Sequence, residues 1–427
     1  MTGASRGYGH ATRPVEFGEL PAGVHHRVER LVAADGVPSR GILYWKGPTT
    51  PKTLVYLMHP RTDFSQHYLI PGLVEQGVAA FGHASRWVNN DTAMIHETVL
   101  LEIAAGIRGL REKYDFWKVV LLGNSGGGSL FAYYQAQAST RPPHRVPETP
   151  AGDPPNLNDH ALPEADGFVS LAAHVGQGKF LMRAIDPSVL DEGDPLACDP
   201  TLDMYNPANG FRLPPEPSRY STEFIERYRH AQRARVARLD AAARHHLAQE
   251  RYFRARLHDE AVAAGALGDR IFLARRASLD HIMVIYRTTA DLAYLDLSLE
   301  PNDRRLGDLY SDRPDLANYG SPFAFGRLST PRAWLSTWSG LSSRASLLDT
   351  IPRVNVPTLV IAYSGDNAVF LADAEAQHVA SPAPDKTLVV IKGGDHYGIP
   401  LPGAATDPRA ELLRVLGRWL RDRFPLT

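Results

Sequence analysis

Cysteine is nearly absent: Cys198 is the single one in 427 residues. One thiol closes no internal disulfide, and cysteine-type zinc sites need several. Cys198 stands in an acidic, proline-flanked stretch, DEGDPLACDP, which disfavours the thiolate that a cysteine nucleophile requires. Long hydrophobic runs are lacking too. No apolar stretch approaches the roughly 18 residues of a membrane-spanning helix, so no membrane partner is expected. Charge shows no excess of either sign, with Lys+Arg 46 against Asp+Glu 47. Chain-wide binding to nucleic acid normally leaves a lopsided balance, and nucleic acid is therefore not expected as a partner. The opening MTGASRGYGH has no apolar core of a signal sequence, which makes the cytoplasm the expected location. There are no internal repeats.

What is present reads as an α/β protein. A hydrophobic content of 44% with 22% charged residues suits a globular chain with a large core. Residues 1–14 are expected to be a flexible N-terminus. Residues 15–175 then alternate β-branched runs with helical periods, as in a mostly parallel sheet covered by helices. Strands are expected at Arg27–Ala33, Gly41–Lys46, Thr53–Met58, Gly77–His83, Lys118–Gly123 and Asp166–His174. Helices are expected near Ile70–Gln76, over Thr92–Tyr114 and from Ser129 to about Ala138. The Pro-, Asp- and Asn-rich stretch 139–164 reads as an irregular surface insertion. Over 176–345 the alternation is lost, and a long helical arm is expected from Ser221 to His258. Residues 346–427 resume it, with strands at Thr358–Tyr363 and Thr387–Ile391 and a closing helix over Arg409–Arg423.

The strongest chemical signal is Gly123-Asn124-Ser125-Gly126-Gly127, a G-x-S-x-G between a buried strand and a helix. A nucleophile on a sharp strand-to-helix turn is crowded, and glycines two residues to either side relieve that crowding. The turn would lift the Ser125 hydroxyl clear of the strand ends. It would also set the Gly126 N–H at the positive end of a helix, where an oxyanion is stabilised. A phosphate-binding loop would end in Lys-Ser/Thr, and this one does not. A serine needs a base, and the base needs an orienting acid. Asp366 follows the Thr358–Tyr363 run, and His396 lies in the glycine-rich loop after Thr387–Ile391. The acids Asp395 and Asp373 remain as rivals to Asp366.

The order Ser125, Asp366, His396 and the GNSGGG elbow resemble the α/β-hydrolase superfamily, over the two outer segments of the chain. The resemblance implies a mostly parallel eight-stranded sheet flanked by helices, with residues 176–345 as a large helical cap. It implies no cofactor. The family normally carries a His-Gly step after its third strand, where a backbone N–H completes the oxyanion hole. Here Met58-His59-Pro60-Arg61 stands at that place, and since Pro60 has no N–H, the implied donor is the Arg61 N–H. A carboxylic ester or related acyl compound is the implied substrate. The GNS elbow is also similar to those of carbon–carbon hydrolases acting on diketones or dienoates and of acyltransferases, which leaves both open. A non-catalytic binding protein on the same scaffold is the alternative from another class.

Further residues are candidates for touching substrate: His59, Arg86, Asn124, His174, Trp334 and Trp338. Arg61 and Arg86 fall at strand-end loops, where either a substrate carboxylate or an internal partner such as Asp63 or Asp91 would engage them. Ser85–Asp91 is expected to wall the pocket, and Phe323 and Phe325 to line its access path or the packing beneath it. The pairs His25-His26 and His245-His246 point in divergent directions on any regular element, so no metal site is expected. The arginines of the 221–258 arm read as a solvated face. Its apolar side, including Phe224, Tyr228, Val236 and Leu239, suits a lid or a homodimer interface.

Overall fold

The computed structural model describes residues 17–259, 265–320 and 324–426. The expected flexible segment 1–14 and Phe323 lie outside the described residues. Eight strands, numbered along the chain, build the main sheet: β1 (Val24–Val32), β2 (Pro38–Lys46), β3 (Thr53–His59), β4 (Ala79–Ala84), β5 (Lys118–Asn124), β6 (Gly167–Leu171), β7 (Thr358–Tyr363) and β8 (Lys386–Ile391). Their spatial order is β1-β2-β4-β3-β5-β6-β7-β8. The β1–β2 and β2–β4 pairs are antiparallel, and the pairs from β4 through β8 are parallel. This is the α/β-hydrolase fold.

The two-residue period of the strands explains the layers. Leu54, Tyr56 and Met58 of β3, with Val119 and Leu121 of β5, point to one face. There they meet Val99, Ile103 and Ile107 of α2 (His96–Tyr114) and Leu130, Phe131 and Tyr134 of α3 (Gly126–Ser139). Val55, Leu57, Val120 and Leu122 point the other way. They are covered by α1 (Ile70–Glu75) and by Leu412, Leu416, Trp419 and Leu420 of the closing helix Pro408–Arg421. Because both faces are covered, β3 and β5 read as unbroken apolar runs in the sequence. The stretch 139–164 is irregular as expected but not superficial. Leu157 and Leu162 enter the core, and Arg145 donates to the carbonyls of Thr140 and His160, each at 2.7 Å.

Between β6 and β7 the chain leaves the sheet. It forms α4 (Gln177–Ala184), a short hairpin (Val189–Asp191 with Asp194–Cys198), α5 (Thr222–Leu257) and α6 (Leu267–Ala277). The 36 residues of α5 make a rod about 54 Å long. Its arginines are not only a solvated face. Arg235, fully buried, pairs with Glu192 at 2.6 Å, and Arg229 pairs with Asp291 at 2.7 Å. Alongside them Val236, Leu239, Ala243 and Leu247 form an apolar contact with Trp334, Leu335 and Trp338. Among the described residues no helix is long and apolar enough to cross a membrane.

At the strand-to-helix turn the backbone passes itself too closely for side chains. A Cβ on Gly127 would stand 2.4 Å from the Met58 carbonyl oxygen, and one on Gly123 would stand 2.4 Å from the Gly127 backbone. Gly127→Ala should therefore lower the unfolding free energy by about 1–3 kcal/mol. Gly268→Ala in α6, with open space around it, should leave stability unchanged or raise it by up to about 1 kcal/mol. Urea denaturation of both variants checks this, and equal losses would refute it.

Candidate functional site

Ser125 sits between β5 and α3 at φ 55°, ψ −124°, a strained conformation for a side-chain-bearing residue. Its amide donates to the Leu171 carbonyl at 3.0 Å, and its own carbonyl accepts from Gly128 N–H at 3.1 Å. Asn124 steadies the turn from behind. It donates to the Leu171 carbonyl at 3.0 Å and meets the His67 ring at 3.2 Å. Both polar ends of Asn124 are thus used within the protein, although its side chain borders the cavity.

The Ser125 hydroxyl lies 3.1 Å from His396 Nε2, and His396 Nδ1 lies 2.7 Å from Asp366 Oδ2. The other Asp366 oxygen accepts the Ala368 and Val369 amides at 2.8 and 2.9 Å. Asp366 and His396 are both almost fully buried. The rival acids are engaged elsewhere. Asp395 accepts the Tyr397 and Ile399 amides at 2.9 Å, and Asp373 pairs with Arg183 at 3.3 Å. Burial alone would depress the His396 pKa, but the Asp366 carboxylate beside it prevails and holds it above the ordinary 6.5. Two further histidines face the same space in neutral form. Burial pushes His174 down to about 3, helped by the nearby His396 and Arg183. Burial likewise holds His59 well below 6.5, with Arg61 and His174 adding to the effect.

A cavity of about 110 Å³ opens over Ser125. Strand ends and the loops that follow them contribute His59, Asn124, His174 and His396 to its lining, and the inserted segment contributes Gln177, Phe180, Tyr310, Phe325 and Trp338. Arg61 reaches the cavity rim with its guanidinium paired to Asp91 at 2.7 Å. It stacks on Phe325 and Trp338, 4.9 and 5.5 Å from their ring centres.

Several sequence expectations are corrected here. The Arg61 amide donates to His59 Nδ1 at 3.2 Å instead of facing the cavity, because the loop after β3 folds back on the imidazole. Arg86 is absent from the lining. It binds Asp35 and the buried Glu102, a carboxyl that burial raises to about 7 against the pull of Arg86. The Ser85–Asp91 stretch likewise stays outside the lining, and its Asp91 acts through Arg61. Trp334 turns away to α5, donating to Asp240 at 2.7 Å. Trp338 enters the cavity from the same Trp334–Trp338 turn, where Ser339 N–H bonds five residues back to the Trp334 carbonyl. Gln177 and Tyr310 were not foreseen, since neither belongs to a motif. Among the described residues no group of three or more His, Cys, Asp or Glu could hold a metal ion.

No family model matches the chain, and no curated protein matches it in sequence. Among solved structures it is similar to the esterase domain of a Rhodothermus marinus protein, at 12% identity and TM-score 0.42, over 94% of this chain and 100% of that one. It is also similar to the α/β hydrolase GrgF from Penicillium sp. sh18, at 12% identity and TM-score 0.47, over 93% and 99%. A third is the monoacylglycerol lipase of Paleococcus ferrophilus, at 13% identity and TM-score 0.40, over 93% and 99%.

If Asp366 is what raises the His396 pKa, Asp366→Asn leaves burial opposed only by the weaker pull of Asp395, and the ring should titrate below 6.5. Nitrogen-15 NMR titration of the histidines checks this. In the parent protein His396 should titrate above 6.5 while His59 and His174 stay neutral. An unshifted His396 in Asp366→Asn would refute the assignment.

Proposed function

We propose that this protein is a serine hydrolase of short-chain carboxylic esters, with Ser125 as nucleophile, His396 as base and Asp366 as its orienting acid. The observation that carries the reading is the hydrogen-bonded chain Ser125–His396–Asp366, at 3.1 and 2.7 Å, built on a strained turn at a helix N-terminus. In the first half-reaction the Ser125 oxygen attacks the ester carbonyl as its proton passes to His396 Nε2. The carbonyl π pair moves to oxygen, and the imidazolium is stabilised by Asp366. Collapse expels the alcohol with the proton from His396, leaving an acyl-serine. Water, deprotonated by His396, repeats the sequence and releases the acid.

The cavity supports a small substrate, since about 110 Å³ falls well below the roughly 300–1,000 Å³ of sites that enclose drug-sized ligands. Its lining supports a neutral one. Among the described lining residues the one permanent cation is Arg61, and Asp91 neutralises it. A dienoate or other carboxylate-bearing substrate of carbon–carbon hydrolysis would find no unpaired guanidinium there. This is why the ester reading stands ahead of that alternative. Residues 176–345 serve in this reading as a cap that supplies the apolar wall.

Ser125→Ala should lower turnover of p-nitrophenyl acetate by about 10⁴-fold or more with unchanged thermal stability. In the parent protein kcat/KM should fall from the butyrate to the palmitate ester. It should also rise with pH through an apparent pKa above 6.5, since His396 acts as base only once deprotonated. A stably folded protein that neither hydrolyses these esters nor reacts with a fluorophosphonate at Ser125 would overturn the proposal.

A further inference from the structure

An oxyanion forming on a Ser125 adduct needs donors already in place, because each one contributes by being aimed before the charge develops. Gly126 opens α3, where the first amides have no intrahelical acceptor, and so supplies one. A second is not evident in the backbone. The Arg61 amide is committed to His59 Nδ1 at 3.2 Å, and the Thr62 amide joins it on the same nitrogen at 3.0 Å.

Two N–H donors converging on Nδ1 require that nitrogen to present its lone pair. In a neutral imidazole the single ring proton then resides on Nε2. Burial and the neighbouring Arg61 guanidinium keep the ring neutral. His59 Nε2 lies 2.7 Å from where a Cβ on Gly126 would stand, beside the nucleophile. His59 also lines the cavity with Ser125. Among the described residues no side chain or carbonyl accepts its Nε2 proton. The Gln177 side-chain nitrogen approaches the same point, at 2.5 Å, while its buried oxygen has no hydrogen-bond partner. The loop after β3 thus uses two backbone amides to set one imidazole and directs the remaining N–H at the elbow.

We infer that the Nε2–H of His59, rather than the Arg61 amide, is the second oxyanion donor of this site, acting beside the Gly126 N–H. The inference rests on the serine-hydrolase reading above. When the Ser125 oxygen bonds to the ester carbon, the displaced π pair collects on the carbonyl oxygen and is met by this N–H. The Ser125 proton goes to His396, and His59 keeps its own proton throughout. His59 is then a catalytic residue with two duties: Nδ1 orders the loop and Nε2 stabilises the transition state.

Two substitutions separate those duties. In His59→Asn the amide oxygen can take over from Nδ1 as acceptor for the Arg61 and Thr62 amides, while the side chain ends short of the elbow. In His59→Gln an N–H can reach the elbow, but the Nδ1 acceptor is lost. With p-nitrophenyl acetate, His59→Asn should keep its melting temperature and a KM within a few-fold, and lose about 10²–10³ in kcat. His59→Gln should recover at least about tenfold of that loss. A folded His59→Asn with kcat within about threefold of the parent would overturn the inference.

A measurement on the unsubstituted protein covers the case in which either variant fails to fold. Reaction of Ser125 with a fluorophosphonate places a phosphonyl oxygen where the oxyanion would be. The His59 Nε2 proton should then move downfield in the NMR spectrum. Labelling at Ser125 with an unmoved His59 signal overturns this inference alone. Absence of both labelling and ester turnover overturns the hydrolase reading and this inference with it.

Discussion

Every feature of the site depends on how closely the chain can pass itself at the turn between β5 and α3. Gly123 lies against Gly127, Gly127 against the Met58 carbonyl, and Gly128 against Ala173, each closer than a Cβ would permit. These approaches hold Ser125 at a positive φ that costs about 1–3 kcal/mol in isolation. Packing on both faces of β3 and β5 offsets that cost, because β3 is buried along its length and β5 from Val119 onward. The same closeness draws the end of β3 up to the elbow, so that His59 and Ser125 share one cavity.

The inserted segment is secured by charge as well as by apolar contact. Arg183 and Arg229 converge on the buried Asp291, and the buried Arg235 joins Glu192. Buried charges are tolerated only when paired and hydrogen-bonded, and guanidinium with carboxylate gives planar, directional pairs. At the far end of the insertion, Ser336 donates to Glu97 of α2 at 2.6 Å, and Thr337 donates to the Met94 carbonyl at 2.7 Å. These ties fix the turn that brings Trp338 over Ser125 and leaves Trp334 against α5. Arg61 completes the wall, held by Asp91 from below and by two aromatic faces from above.

Much of the scaffold was legible because its signals are local. Buried parallel strands read as apolar runs, α2 shows its four-residue period, and the elbow carries its own glycines. Asp366 and His396 could be proposed because each follows a strand, and the parallel connections bring those strand ends to one edge of the sheet. Its place directly after Thr358–Tyr363 singles out Asp366 as the acid, and the structure adds that its carboxylate lies 2.7 Å from His396 while Asp395 and Asp373 bind elsewhere. Arg86 and Trp334 misled for one reason. A strand-end loop or a short helical turn places its residues near the site, but one rotation of the chain decides which side chain enters it.

The positions of the strands, the elbow and the choice of Ser125, His396 and Asp366 as candidate residues follow from patterns a few residues long, whose physics is steric crowding and the alternation of buried faces. The cavity wall and the setting of the His59 imidazole do not. Gln177, Tyr310, Phe325 and Trp338 meet His59 only after about 170 residues have folded back over the sheet. Two amides from a loop that no sequence period describes hold the His59 imidazole. Tertiary packing decided these because they are agreements between side chains distant along the chain.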